Sequence, residues 1–79
     1  MAKVYFINEW KTKYLEDLQE KVYGARKRLH KTQQDMAEVV GKSRQQYALD
    51  EKDLGNVKYG EVLEYLHELG YKVVVTREE

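Results

Sequence analysis

The sequence contains no cysteine and no proline in 79 residues. Without cysteine there is neither a disulfide framework nor a thiolate for a zinc site, so the fold must hold by packing alone. Long hydrophobic runs are also missing. No stretch approaches the roughly 18 apolar residues of a membrane span, and the apolar start from Met1 to Trp10 is too short for a signal peptide. A soluble, cytoplasmic protein without a membrane partner is expected. The length suits one domain, residues 1–79, and any function must fit on that single unit.

Net charge is zero, with 14 cations against 14 carboxylates, but the charges are segregated along the chain. Residues 21–47 carry Lys21, Arg26, Lys27, Arg28, Lys31, Lys42 and Arg44 against Asp35 and Glu38, a local charge of +5. Residues 48–79 sum to −4 and residues 1–20 to −1. A basic middle between acidic ends can present one face to a polyanion, although charges on helices also form ordinary solvated faces.

Local patterns divide the chain into a strand, three or four helices and a second strand. Val4, Tyr5, Phe6 and Ile7 are β-branched or aromatic, too few for a helix, and end at the turn-forming Asn8, which predicts a short strand. From Trp10 the apolar positions Tyr14, Leu15, Leu18, Val22, Ala25 and Leu29 recur at steps of three and four, the spacing of one helical face. Gly24 lies inside this helix and marks a place open to a kink, a break or a close backbone approach. Thr32 offers a hydroxyl, and Asp35 a first-turn acid, to a second helix that carries Met36, Ala37, Val39 and Val40 and closes at Gly41. Ser43, followed three residues later by Gln46, has the form of a reciprocal capping box for a third helix. After a loop at Asp53 to Asn56, Val62, Leu63, Leu66 and Leu69 space a fourth helix that stops at Gly70. Tyr71 to Arg77 has the composition of a strand.

Two short helices joined by a tight turn form the arrangement of a helix-turn-helix, whose second helix can lie in a major groove. The stretch from Arg28 to Tyr47, with Thr32-Gln33, Met36-Ala37, Gly41 and Ser43-Arg44, resembles the phage-repressor (XRE/Cro) family. Glu51 stands where that family commonly ends its third helix, and Lys58 to Tyr71 resembles its fourth. The likeness covers about fifty residues. It implies a mainly α fold, a four- to five-helix repressor-like domain with short N- and C-terminal strands. Residues 1–21 would form a strand and helix extension, 22–69 the helix-turn-helix core, and 70–79 a terminal strand. Ala37 would occupy a close helix crossing, with Met36, Val40 and Tyr47 filling the small core. Lys42 and Asp50 depart from the family, which usually has apolar residues there. Either Asp50 sits at the helix edge beside solvent or a basic partner, or the third helix is shorter or rotated.

The resemblance implies sequence-specific binding of double-stranded DNA by a dimeric transcriptional regulator, read as a repressor, without cofactor or metal. Base contact falls mainly to Ser43, Arg44, Gln45 and Leu49, with Gln46 on the same DNA-binding surface. Arginine pairs bidentately with guanine, glutamine with adenine, and leucine packs on a thymine methyl group. Gln33 would meet the phosphate backbone at the start of the second helix, joined by Lys31, Lys42, Lys52 and Lys58. Tyr71, Val73, Val74 and Val75 form an apolar edge expected to pair across a homodimer. The alternative is the antitoxin half of a toxin-antitoxin pair, similar to the HipB type and binding a protein toxin as well as DNA. A third reading keeps the fold without DNA binding. An enzyme is not expected: His30 and His67 fall in different segments, and no nucleophile, metal or phosphate-loop motif accompanies them.

Overall fold

The computed structural model describes residues 2–77, with side chains from Trp10 onward. Four helices account for most of it: α1 (Ala2–Arg28), α2 (Gln33–Val40), α3 (Arg44–Lys52) and α4 (Tyr59–Glu68), with a one-turn 3-10 helix, Leu54–Asn56, between α3 and α4. Helix α2 packs most closely on α3 and next on α4, while α1 lies against α3 and the 3-10 turn. The core draws on every element: Val22 and Ala25 from α1, Met36 and Ala37 from α2, Tyr47 from α3, Leu54 from the turn, and Val62, Tyr65 and Leu66 from α4, with Leu69 behind. Each large apolar side chain buried in this way contributes about 1.5–3 kcal/mol relative to exposure. No helix of the described residues is long and apolar enough to cross a membrane.

Three helices end with the same device. His30, Gly41 and Gly70 adopt the left-handed conformation at φ 56°, 71° and 86°. In each case the amide one residue further on reaches back five residues: Lys31 to the Arg26 carbonyl, Lys42 to Ala37 and Tyr71 to Leu66. This Schellman closure satisfies carbonyls that the helix leaves free. Two of its three left-handed residues are glycine, for which the conformation is unstrained, whereas His30 bears a Cβ.

The helix starts match the expected caps with one correction. Thr32 accepts from the Asp35 amide at 3.0 Å and donates its own amide to the Asp35 carboxylate at 2.8 Å, a complete box. Ser43 accepts from the Gln46 amide at 3.1 Å, but the Gln46 side chain donates to Asp50 rather than closing the box expected at Ser43. A better acceptor, a buried carboxylate one turn on, captures it.

Four other expectations change. The strand expected at Val4 to Ile7 is helical, because α1 begins at Ala2. Preference for β structure reflects fit to a pleated sheet, and among the described residues there is no sheet to provide one; extending a helix already formed requires no new nucleus. Helix α1 also runs through Gly24 without interruption, and a Cβ there would meet only the tip of Arg28 at ordinary contact distance, 3.4 Å. Leu29 falls beyond the last residue of α1 and is half exposed rather than facing the core. Residues 71–77 have no regular secondary structure, so the strand expected at 70–79 is not formed over its described part.

Candidate nucleic-acid interface

Helix α3 follows α2 after the three residues Gly41-Lys42-Ser43. Its first turn, Arg44, Gln45 and Gln46, is exposed, as is Leu49 at 62%. Leaving a leucine this open requires that the helix bury its opposite side, which is what Tyr47, Asp50 and Glu51 do.

That buried side is held by charge as well as by apolar packing. The Arg26 guanidinium grips Glu51 with two hydrogen bonds, Nε to Oε2 at 2.6 Å and Nη2 to Oε1 at 3.0 Å, and donates a third to the Lys31 carbonyl at 3.0 Å. Tyr47 donates its hydroxyl to the same carboxylate at 2.7 Å. Beside it, Asp50 accepts from Lys42 Nζ at 2.6 Å, from Gln46 at 3.0 Å and from the Tyr65 hydroxyl at 2.9 Å. Lys42 also meets Glu61 at 2.7 Å. The two tyrosine rings pack edge to face with centroids 5.1 Å apart. Two consecutive carboxylates of α3 are therefore each met by one cation and one tyrosine, one toward α1 and one toward α4.

Electrostatics follow from this geometry. Burial alone would raise the Asp50 and Glu51 carboxyls, but hydrogen bonds from Lys42, Gln46 and Tyr65, and from Arg26 and Tyr47 respectively, hold both below their ordinary values. Burial and the adjacent carboxylates push both tyrosine hydroxyls up, keeping them neutral donors. No buried side-chain polar atom lacks a partner among the described residues. The charged core is thus satisfied, the condition under which buried ion pairs avoid large penalties.

The basic segment is sorted by the same contacts. Lys21 pairs with Asp17, Arg26 with Glu51, Lys31 with Glu68, and Lys42 with Asp50 and Glu61. Lys27, Arg28 and Arg44 have no carboxylate partner among the described residues, and all three are exposed. A cleft of about 650 Å³ where α1 ends and α2 and α3 begin is lined by Arg26, Lys27, Lys31 and Arg44, with Tyr23, His30, Thr32 and Gln33. Arg26 and Lys27 both lie 5.5 Å from the Tyr23 ring centre. Arg44 Nη1 approaches Gln33 Oε1 at 3.5 Å, which sets the first residue of α3 beside the first residue of α2.

The structure therefore brings Lys31, Gln33 and Arg44 together in one basic cleft and leaves Ser43, Gln45, Gln46 and Leu49 exposed or capping on the adjoining part of α3. Lys52, at the end of α3, and Lys58, before α4, are exposed and do not line the cleft. Lys42 is turned into the Asp50 and Glu61 carboxylates, its side chain 20% exposed. Tyr71 is half-buried against the core, with its hydroxyl 3.5 Å from the Lys21 carbonyl, while Val73, Val74 and Val75 are exposed. Sequence reasoning did not single out Arg26, whose role depends on a partner 25 residues away, nor Lys27 and Tyr23 as walls of the cleft. No protein-family model, curated protein or solved structure matches the chain. The likeness to phage repressors rests on the residues quoted above.

Proposed function

We propose that the chain is a sequence-specific double-stranded DNA-binding regulator, a helix-turn-helix protein of the repressor type that works as a dimer. The observation that supports it best is the division of α3: its first turn and Leu49 are open to solvent beside a basic cleft, while Tyr47, Asp50 and Glu51 lock the rest to α1 and α4. A reading helix needs an exposed edge on a rigid mount. Ser43, Arg44, Gln45 and Leu49 read bases in this proposal, with Gln46 at the edge of that surface. Gln33, Lys31, Lys27 and Arg28 meet phosphates, the last two having no carboxylate partner among the described residues, with Lys52 and Lys58 as outlying contacts. Lys42 belongs to the frame, since two carboxylates already meet its charge. Asp50 is buried and paired, which removes one ground for a fold that has lost DNA binding. The dimer pairs the exposed Val73 to Val75 segment, anchored by Tyr71, with its symmetry mate.

The apolar face left open by α1 and the tail favours a second reading, an antitoxin that also holds a protein toxin. Co-purification with the product of a neighbouring gene distinguishes it.

Affinity for random duplex DNA measured across a salt series, followed by selection of bound sequences, tests the main reading. Log affinity is expected to fall linearly with log salt, by about 0.9 per phosphate contact, and selection is expected to yield a palindrome. Absence of binding at low salt would refute it.

A further inference from the structure

The side of the molecule formed by α1, α4 and the tail carries a ridge and a groove. On α1, Trp10 and Tyr14 are 63% and 61% exposed and touch edge to face, with ring centroids 6.0 Å apart. Beside them two adjoining hollows of about 300 and 310 Å³ share Leu18, Tyr59 and Val62. The first is floored by Leu15, which lies over Gly55, and the second continues along Leu66 to Val73 and Val74. Lysines 11, 21 and 72 stand along the groove, and no carboxylate lines it. It shares no residue with the basic cleft.

Ridge and groove cannot satisfy each other within one chain. Trp10 and Tyr14 lie on the same continuous helix as Leu15 and Leu18, which wall the groove, so a rigid helix holds the ridge beside the hollow and never in it. Trp10, Tyr14 and Tyr59, 61–69% exposed, together present on the order of 500 Å², and tail pairing adds Val73 to Val75 to the same two-fold interface. A standard interface takes about 800 Å² from each partner. A two-fold contact also uses one patch twice, which suits a surface holding both a projection and a matching hollow.

We infer that the occupant of the groove is a second copy of this chain: the Trp10–Tyr14 ridge of each protomer seats in the α1–α4 groove of the other. The inference shares with the regulator reading only the two-fold dimer, and it adds a helical contact that tail pairing does not contain.

Trp10 is the only tryptophan, so its emission reports the contact directly. On dilution of the full chain without DNA, emission is expected to move to the red and acrylamide quenching to rise, at the midpoint concentration where sedimentation shows dimers dissociating. Trp10→Ala and Tyr59→Asp are each expected to raise the dimer Kd at least about tenfold, the effect of losing an aromatic anchor. Both sites are exposed, and far-UV circular dichroism checks that the fold persists. Mixing the two variants is decisive. The ridge of Tyr59→Asp meets the intact groove of Trp10→Ala, so the mixture is expected to dimerise more tightly than either variant alone, with a blue shift of the single remaining tryptophan. A mixture no tighter than its components overturns the inference. So does a parent dimer in which Trp10 stays water-exposed, a result that leaves tail pairing and DNA binding standing. A parent that stays monomeric at all concentrations overturns both dimer contacts while leaving the DNA measurement to stand or fall alone.

Discussion

The two corners that flank α2 follow one plan. At the first, His30-Lys31-Thr32 supplies a left-handed residue, a lysine paired with Glu68 near the end of α4, and a hydroxyl cap. At the second, Gly41-Lys42-Ser43 supplies a left-handed residue, a lysine paired with Glu61 near the start of α4, and a hydroxyl cap. Each corner is also clamped to α3: the first through Arg26, which holds the Lys31 carbonyl and Glu51, the second through Lys42 and Asp50. The difference lies in burial. The Arg26–Glu51 clamp is dry on both sides, whereas Lys42 remains partly wet and has a second carboxylate in reserve. The teaching is that similar local sequences can set similar turns while the tertiary partners decide how much each turn matters.

The largest effect should come from the dry clamp. Glu51→Ala leaves Arg26 buried and short of its partner, and Tyr47 without an acceptor, so a loss of about 3–5 kcal/mol is expected. Asp50→Ala should cost less, about 2–3 kcal/mol, because Lys42 retains Glu61 and the Tyr65 hydroxyl is the main group left unpaired. Urea unfolding of both variants measures the gap. Equal losses would erase the distinction between the corners.

Acid should attack both clamps. The folded-state carboxyls of Asp50 and Glu51 lie below their ordinary values of 3.8 and 4.5. Their stabilisation is therefore complete above that range and is lost as the pH falls through their lower folded values. Unfolding free energy measured from pH 7 to pH 2 should drop below about pH 4.5, and Glu51→Gln should show a shallower decline than the parent. Parallel curves would mean that other carboxylates dominate acid unfolding.

Function should separate from stability at the second corner. Arg44→Ala and Gln45→Ala are expected to relax base preference by about 1–3 kcal/mol per lost bidentate contact, with little change in melting. Lys31→Ala should weaken all DNA alike. Its pair with Glu68 is partly exposed, and such pairs add little to folding. Competition binding against a panel of duplexes reads the difference. If both α3 variants bind every sequence as the parent does, the reading surface is elsewhere.

These contrasts also show which parts were legible in the sequence. Thr32, Gly41, Ser43 and Gly70 announce themselves because caps and left-handed closures are chemistry of adjacent residues. Met36, Ala37, Val62 and Leu66 follow from helical spacing, and Tyr47 from the likeness to the repressor pattern. The clamps do not, because their partners are brought together through space, Arg26 with Glu51 and Tyr65 with Asp50. A signal did exist: Lys42 and Asp50, the two departures from the repressor pattern, have opposite charge and prove to be partners. The helical start of α1 and the lack of a strand at 71–77 were hidden for a different reason, since strand preference says nothing about whether a sheet is there to receive it.

The smallest expected effect concerns the left-handed residues themselves. His30 takes φ 56° with a Cβ in place, where its counterparts Gly41 and Gly70 have none. The conformation costs an L-residue roughly 1–2 kcal/mol, partly offset because histidine restricts the unfolded chain more than glycine does. His30→Gly is therefore expected to stabilise the fold by about 0.5–1 kcal/mol, whereas Gly41→Ala should destabilise it by about 1 kcal/mol at the equivalent position. His30 is exposed and its side chain makes no hydrogen bond or ion pair among the described residues, so the substitution removes strain without removing a contact of the frame. Because His30 also lines the basic cleft, the same variant measured for DNA affinity shows whether the strained residue is kept there for binding. A His30→Gly protein that is less stable than the parent would mean that the first corner is held by the histidine side chain, and the shared plan of the two corners would fail at its first residue.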